Sequence, residues 1–139
     1  MPVSNAERAC KMLKRGPYTC ILCDDRRVLT SEKRGIAPIL DRLDEDLKGM
    51  AAADKIIGRA AAMLLIHGGV TSVYGEVMSR GALELLKKHR VKASYGTLTE
   101  MIVNRAGDGQ CPMEQAVAGI SDPALAPAAL RSALEALRK

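Results

Sequence analysis

Two short segments carry polar side chains at the junction between an apolar strand-like run and a helix. Asp54 and Lys55 follow the run at 49–53, and Glu76 and Ser79 lie at the end of the next run. In an open α/β sheet, ligands bind beyond the carboxyl ends of parallel strands. Each helix start there would offer free N–H groups, and Lys55 would add a full positive charge. This combination predicts a site for a phosphate-bearing ligand, with Asp54 and Glu76 accepting hydrogen bonds from sugar hydroxyls or a base edge.

The same residues also have purely structural interpretations. Asp54 can be a helix N-cap, Lys55 a solvated lysine, and Glu76 an ion-pair partner of Lys55 or Arg80. Gly58, placed one turn into the predicted helix, would permit close approach of a ligand or of another backbone segment. Spacing alone leaves these alternatives open, and Asp54 with Lys55 could also form an acid–base pair of a metal-independent enzyme.

A second cluster of polar residues lies in a Gly-rich loop. Asn104 and Arg105 stand in this loop, and Cys111 and Pro112 follow it at a predicted helix start. A thiol at such a position can act as a nucleophile, which makes Cys111 a second catalytic candidate. The structural alternative is a thiol packed under the loop.

Apolar periodicity predicts the elements that would position these residues. The pattern strand–helix–strand–helix–strand over 49–95 predicts a parallel sheet with right-handed crossovers. Strands at 18–23 and 27–30 predict a hairpin on one side of that sheet. Together they predict an α/β protein with three α/β/α layers, a mixed five-stranded sheet and one domain over residues 1–139. The third strand of the parallel repeat, 91–95, is predicted to end at Gly96. The last helix is predicted to be the one detachable element. The predicted helices cover 3–14, 36–47, 56–66, 80–89 and 125–139, with shorter helical pieces at 99–106 and 112–120.

Composition restricts the partners. The 139 residues include three Tyr and neither Phe nor Trp, so nucleic-acid recognition by stacked aromatic side chains is not expected. The net charge is +5, and the N-terminal third holds much of the excess. This segment could contact an anion or a nucleic acid, or could simply be a solvated face; a nucleic-acid accessory protein is the least favoured alternative, because the sequence shows no docking motif. No apolar run approaches the length of a membrane span, so we expect a cytoplasmic protein. Cys20 and Cys23 lie on a predicted strand with their side chains on opposite faces, which disfavours a metal site.

The sequence also resembles a small prokaryotic family of unknown function that has a cytidine-deaminase-like fold without the deaminase zinc ligands. In that fold, His-x-Glu or Cys-x-Glu opens one helix and Pro-Cys-x-x-Cys opens the next. The corresponding positions here, 53–55 and 77–82, hold none of these ligands. The stretches that carry the resemblance are 53–62, 68–70, 73–77, 81–83, Asn104-Arg105 and 111–114, within residues 18–121.

The resemblance implies a deaminase-like core over about residues 18–121, followed by a C-terminal helix over about 125–139. It implies binding of a nucleotide-type or ADP-ribose-like ligand without zinc or another cofactor. Deaminase-like folds often self-associate, so a homo-oligomer is a further fold-level expectation.

Overall fold

The computed structural model describes residues 4–33, 35–102, 109 and 111–137. The strands are β1 Cys20–Cys23, β2 Val28–Ser31, β3 Ala51–Ile57, β4 Ser72–Ser79 and β5 Lys92–Thr99. The helices are α1 Asn5–Arg15, α2 Ala37–Leu40, α3 Arg59–Gly68, α4 Arg80–Lys88, α5 Pro112–Ala116 and α6 Ala126–Leu137, with a 3-10 turn at Pro123–Leu125.

The five strands form one mixed sheet in the order β2-β1-β3-β4-β5. The hairpin strands β1 and β2 pair antiparallel, and β1 also pairs antiparallel with β3. The β3–β4 and β4–β5 pairs are parallel. The predicted α/β class and the mixed five-stranded sheet are therefore confirmed.

Helices cover both faces of the sheet. On one face, Ala9 and Leu13 of α1 pack on a small apolar cluster that includes Ile21 and Cys23 of β1. On the other face, the remaining helices pack on the larger core, to which Cys20 belongs. The predicted three layers are present, and the thiols of Cys20 and Cys23 lie on opposite faces as expected for a strand.

The three parallel strands share a break in their alternation. Ala52 and Ile57 are five residues apart in β3, yet both belong to the core opposite α1, whereas regular alternation would put them on opposite faces. The β4–β5 ladder pairs Gly75 with Tyr95 and resumes at Val77 with Thr97. A Cβ on Gly96 would lie 2.9 Å from the Glu76 carbonyl oxygen, so glycine is needed for close approach of β4 rather than as a strand terminator. The prediction that β5 ends at Gly96 is wrong.

Two predicted helices begin or end elsewhere. The helix expected over 56–66 begins at Arg59, because β3 continues through Ile57 and Gly58 is the N-cap. The helix expected over 36–47 is limited to α2, and turns follow from Asp41. Short acidic side chains favour turns by bonding to nearby backbone, as Asp46 does to the Lys48 amide at 3.0 Å.

The C-terminal part is integrated into the core. Ala126 and Leu130 of α6 are fully buried and belong to the larger core. The expectation that this helix is detachable is therefore wrong. The helical piece predicted over 99–106 is not found in its described part, residues 99–102. Thr99 ends β5, and the three residues after it belong to no helix. Within the described part of the chain, no helix has the length and apolar character needed to cross a membrane.

Candidate functional site

Asp54 and Lys55 lie inside β3, not at a helix start. Asp54 pairs in the ladders with Cys20 of β1 and Gly75 of β4. The two side chains contact different groups: Lys55 pairs with Glu76, and Asp54 accepts from the Ile56 amide. The role of Asp54 and Lys55 as an acid–base pair stays a prediction.

Lys55 forms an ion pair with Glu76 on the adjacent strand. The Lys55 Nζ lies 3.4 Å from Glu76 Oε1, and both side chains are more than one-third exposed. A partly exposed pair at this distance contributes less than about 1 kcal/mol to stability. The structural interpretation of Glu76 as a partner of Lys55 is confirmed, and a phosphate at Lys55 would have to compete with this carboxylate.

Asp54 is buried in the core with incomplete hydrogen bonding. Its side chain is only 5% exposed. The Oδ1 atom accepts from the Ile56 amide at 3.2 Å, and Oδ2 has no hydrogen-bond partner among the described residues. Burial raises the pKa of Asp54 to about 7, and contacts with the Ile56 amide, the Cys20 thiol and the Lys55 amide partly oppose this shift.

Cys20, opposite Asp54 on β1, is held as a neutral thiol. Burial raises the pKa of Cys20 well above its ordinary value, and the negative charge of Asp54 raises it further. Since the thiolate is the reactive form, Cys20 is suited to packing rather than to nucleophilic attack.

The start of α3 is occupied by a carboxylate of the chain itself. Glu114 of α5, which is 6% exposed, accepts from the Arg59 amide through Oε1 and from the Ala60 amide through Oε2, each at 2.7 Å. They belong to the start of the helix that the sequence predicted from residue 56 and assigned to a phosphate. The expected anion site at this helix start is therefore filled internally, by a residue 54 positions away from Ala60 in the chain.

Gly58 makes this internal cap possible. A Cβ at Gly58 would lie 2.4 Å from Glu114 Oε1 and 2.8 Å from Ile102 Cγ1. The predicted close approach at Gly58 is present, but it is made by Glu114 and Ile102 at the N-cap, not by a ligand one turn into the helix.

The remaining predicted site residues lie apart from one another. Ser79 is buried and caps α4, its Oγ accepting from the Ala82 amide at 3.1 Å. Cys111 is partly exposed at the N-cap of α5, so the predicted helix start is confirmed and its role as a nucleophile stays a prediction. Asn104 and Arg105 lie outside the described residues.

Sequence reasoning missed a basic groove along α1. The groove has a volume of about 420 Å³ and is lined by Arg8, Lys11, Met12, Arg15, Gly16 and Tyr18. The cations recur at i, i+3 and i+7, a helical spacing that the sequence itself shows. Lys11 and Arg15 form no ion pair with any described residue, and Arg8 donates to the Asp24 carbonyl oxygen at 3.4 Å.

Tyr18 supplies the aromatic wall of this groove. A Cβ on Gly16 would lie 2.6 Å from the Tyr18 ring, so the glycine lets the ring pack against the end of α1. The groove therefore combines three cations with an apolar surface formed by Tyr18 and Met12.

The described residues contain no group of three or more His, Cys, Asp or Glu side chains that could hold a metal ion. At the starts of α3 and α4, Glu114 and Ser79 already bond to helix amides. This donor set does not fit the deaminase zinc.

Comparison with protein families gives a match over residues 8–134 to a domain of unknown function, DUF1893. The chain belongs to this family. The DUF1893 fold is also seen in a crystal structure of the family protein TM1506 from Thermotoga maritima, which is 22% identical with a TM-score of 0.81. That match covers 97% of this chain and 92% of the Thermotoga chain. No functionally curated protein matches this DUF1893 sequence significantly.

Proposed function

We propose that this DUF1893 protein binds a small phosphate-bearing ligand of nucleotide type, without zinc, in the basic groove of α1. The observation that carries the proposal is the set of three cations on one helical stripe, none of which has an ion-pair partner among the described residues. Cations held close together repel one another, and an anion between them relieves that repulsion.

The apolar wall supports a nucleotide over a bare phosphate. In the proposed complex the base stacks on Tyr18, which lines the groove, and stacking on one aromatic side chain is worth about 1–3 kcal/mol. A volume of about 420 Å³ lies within the range of pockets that hold small molecules. In this arrangement Lys11 and Arg15 bind the phosphate while Tyr18 binds the base.

The site differs from the one that the sequence predicted. At the ends of β3 and β4, Glu114 fills the start of α3 and Glu76 pairs with Lys55. A phosphate there would displace two carboxylates of the protein, whereas in the α1 groove it displaces none among the described residues.

The experiment is a titration of the protein with ATP, ADP-ribose and inorganic phosphate by isothermal calorimetry. Lys11→Gln removes one groove cation, and Lys87→Gln removes a comparable exposed lysine from α4 as the matched control. We expect Lys11→Gln to weaken nucleotide binding about tenfold or more, since a charge-assisted hydrogen bond to phosphate is lost. The control should bind as the parent does.

A third variant separates the two parts of the groove. Tyr18→Leu should weaken the binding of ATP and ADP-ribose and leave the binding of inorganic phosphate unchanged, because only the aromatic ring is lost. The groove is not a ligand site if none of the three compounds binds to the parent protein. Equal losses in Lys11→Gln and Lys87→Gln would instead mean general attraction to a basic protein.

A further inference from the structure

The two edges of the sheet are protected to very different degrees. An edge strand exposes unpaired N–H and C=O groups, and proteins usually protect such edges with short strands, charges, proline or bulges. The edge strand β2 has four residues, with two arginines directly before it and Glu32 and Lys33 after it. The other edge strand, β5, has eight residues and a single charge at its first position, Lys92.

The middle of β5 is also uncovered. Residues Ser94 to Thr97 are exposed in succession, so both faces of the strand are open there. Tyr95 is 43% exposed, which is high for a large apolar ring. No described strand pairs with the outer side of β5. The segment has the length, the β-branched and aromatic composition and the free edge that favour pairing with another strand.

We propose that two copies of this chain pair antiparallel through β5, around a two-fold axis at Gly96, to form one continuous sheet. In this register, a residue a given number of positions before Gly96 in one copy lies opposite the residue the same number of positions after Gly96 in the other copy. Lys92 then lies opposite Glu100 of the second copy, and Tyr95 lies opposite Thr97 of the second copy. A two-fold axis repeats each pair, so a favourable contact counts twice.

Charge complementarity selects the second copy as the occupant. The strand begins with a cation and is followed directly by an anion, so an antiparallel copy brings opposite charges together at both ends. Lys92 is exposed, and the Glu100 side chain is 81% exposed even though it also pairs with Arg80. A parallel partner strand would place like charges side by side, which is unfavourable.

The centre of the pairing is complementary as well. A tyrosine opposite a β-branched threonine is one of the stabilising cross-strand pairs. Gly96 lies on the axis opposite its own copy.

The mass of the full chain in solution tests the pairing, measured by sedimentation across a range of concentrations. We expect a dimer for the parent protein. Thr97→Lys places two like charges beside the axis and should give a monomer, while Val28→Lys on the edge strand β2 is the matched control and should remain dimeric. A parent protein that sediments as a monomer at every concentration overturns the proposal.

Charge reversal tests the register itself. Lys92→Glu alone should raise the dimer dissociation constant about tenfold, because two ion pairs become repulsive. The double variant with Glu100→Lys restores opposite charges and should return the constant to the parent value. The β5 interface would be refuted if Thr97→Lys left the dimer unaffected. It would also be refuted if the double variant had a dimer dissociation constant no lower than that of Lys92→Glu. These outcomes do not depend on the α1 groove, which lies on a different element.

Discussion

Replacing Asp54 by Asn should remove a pH dependence of stability that the buried carboxyl creates. Asp54 is 5% exposed, and its Oδ2 atom lacks a partner among the described residues. Burial raises its pKa from 3.8 to about 7. The folded protein therefore holds the proton of Asp54 more tightly than the unfolded chain does.

This difference in proton affinity determines whether the free energy of unfolding rises or falls with pH. Below about pH 4 the carboxyl is neutral in both states, and its full contribution to stability is present. As the pH rises from there to about 7, the unfolded chain ionises first, so the free energy of unfolding falls. A rise in pKa from 3.8 to about 7 corresponds to a loss of about 4 kcal/mol at most, at about 1.36 kcal/mol for each pH unit.

The assay is urea denaturation of the parent and Asp54→Asn proteins between about pH 4.5 and about pH 8. Asparagine copies the shape of the neutral acid and does not titrate. The variant should therefore gain stability relative to the parent as the pH rises, by about 3 kcal/mol across this window, since about 1 kcal/mol of the full effect is already lost at about pH 4.5. Subtracting the two curves removes the titration of the other groups, including Asp24, whose pKa is lowered by the Arg26 and Arg27 amides.

A difference between the two proteins that stays constant across this pH range would refute the reasoning. It would mean that Asp54 ionises in the folded state as easily as in the unfolded chain. Such a result would require water to reach the carboxylate.

Three further predictions concern the start of α3 and the thiols. In a urea titration, Gly58→Ala should lower the free energy of unfolding by about 1–3 kcal/mol, because the new Cβ would overlap Glu114 and Ile102. The control is Gly81→Ala, whose Cβ meets nothing within 4 Å; it should be neutral or stabilise the protein by up to about 1 kcal/mol. Glu114→Gln should cost about 1–3 kcal/mol by the same measurement, since its amide nitrogen would face a helix N–H donor, and an unchanged midpoint would show that this cap contributes little. Cys111 should be alkylated faster than the buried Cys20 under native conditions, as read by peptide mass spectrometry, and equal rates would contradict the burial difference.

Much of the architecture could be predicted from the sequence because its signals are local. The stripe of apolar residues defines α1 and α4, Ser4 and Ser79 cap them, and Gly69 ends α3 in a left-handed conformation at φ 87°. The alternation of apolar strands and helices defines the parallel part of the sheet. These features depend on residues within a few positions of one another, so no knowledge of the tertiary structure is needed.

The prediction that Asp54 and Lys55 lie at a helix start was wrong, because local signals mislead at this point. Asp54 and Lys55 suggested the end of a strand, because consecutive charged residues are rare in a buried one. Only the assembled sheet shows that Lys55 has Glu76 beside it on β4 and that Asp54 is buried opposite Cys20. Ladder partners from distant parts of the chain are what allow these residues to lie within a strand.

Tertiary structure also decided which helix start remains free for a ligand. The sequence correctly indicated that α3 begins with unsatisfied N–H groups, which every helix has. It could not indicate that Glu114 reaches them, since the contact joins two segments 54 residues apart and depends on how α5 packs on α3. The sequence thus determined the elements and their order, while the contacts between distant elements determined which polar groups are already satisfied.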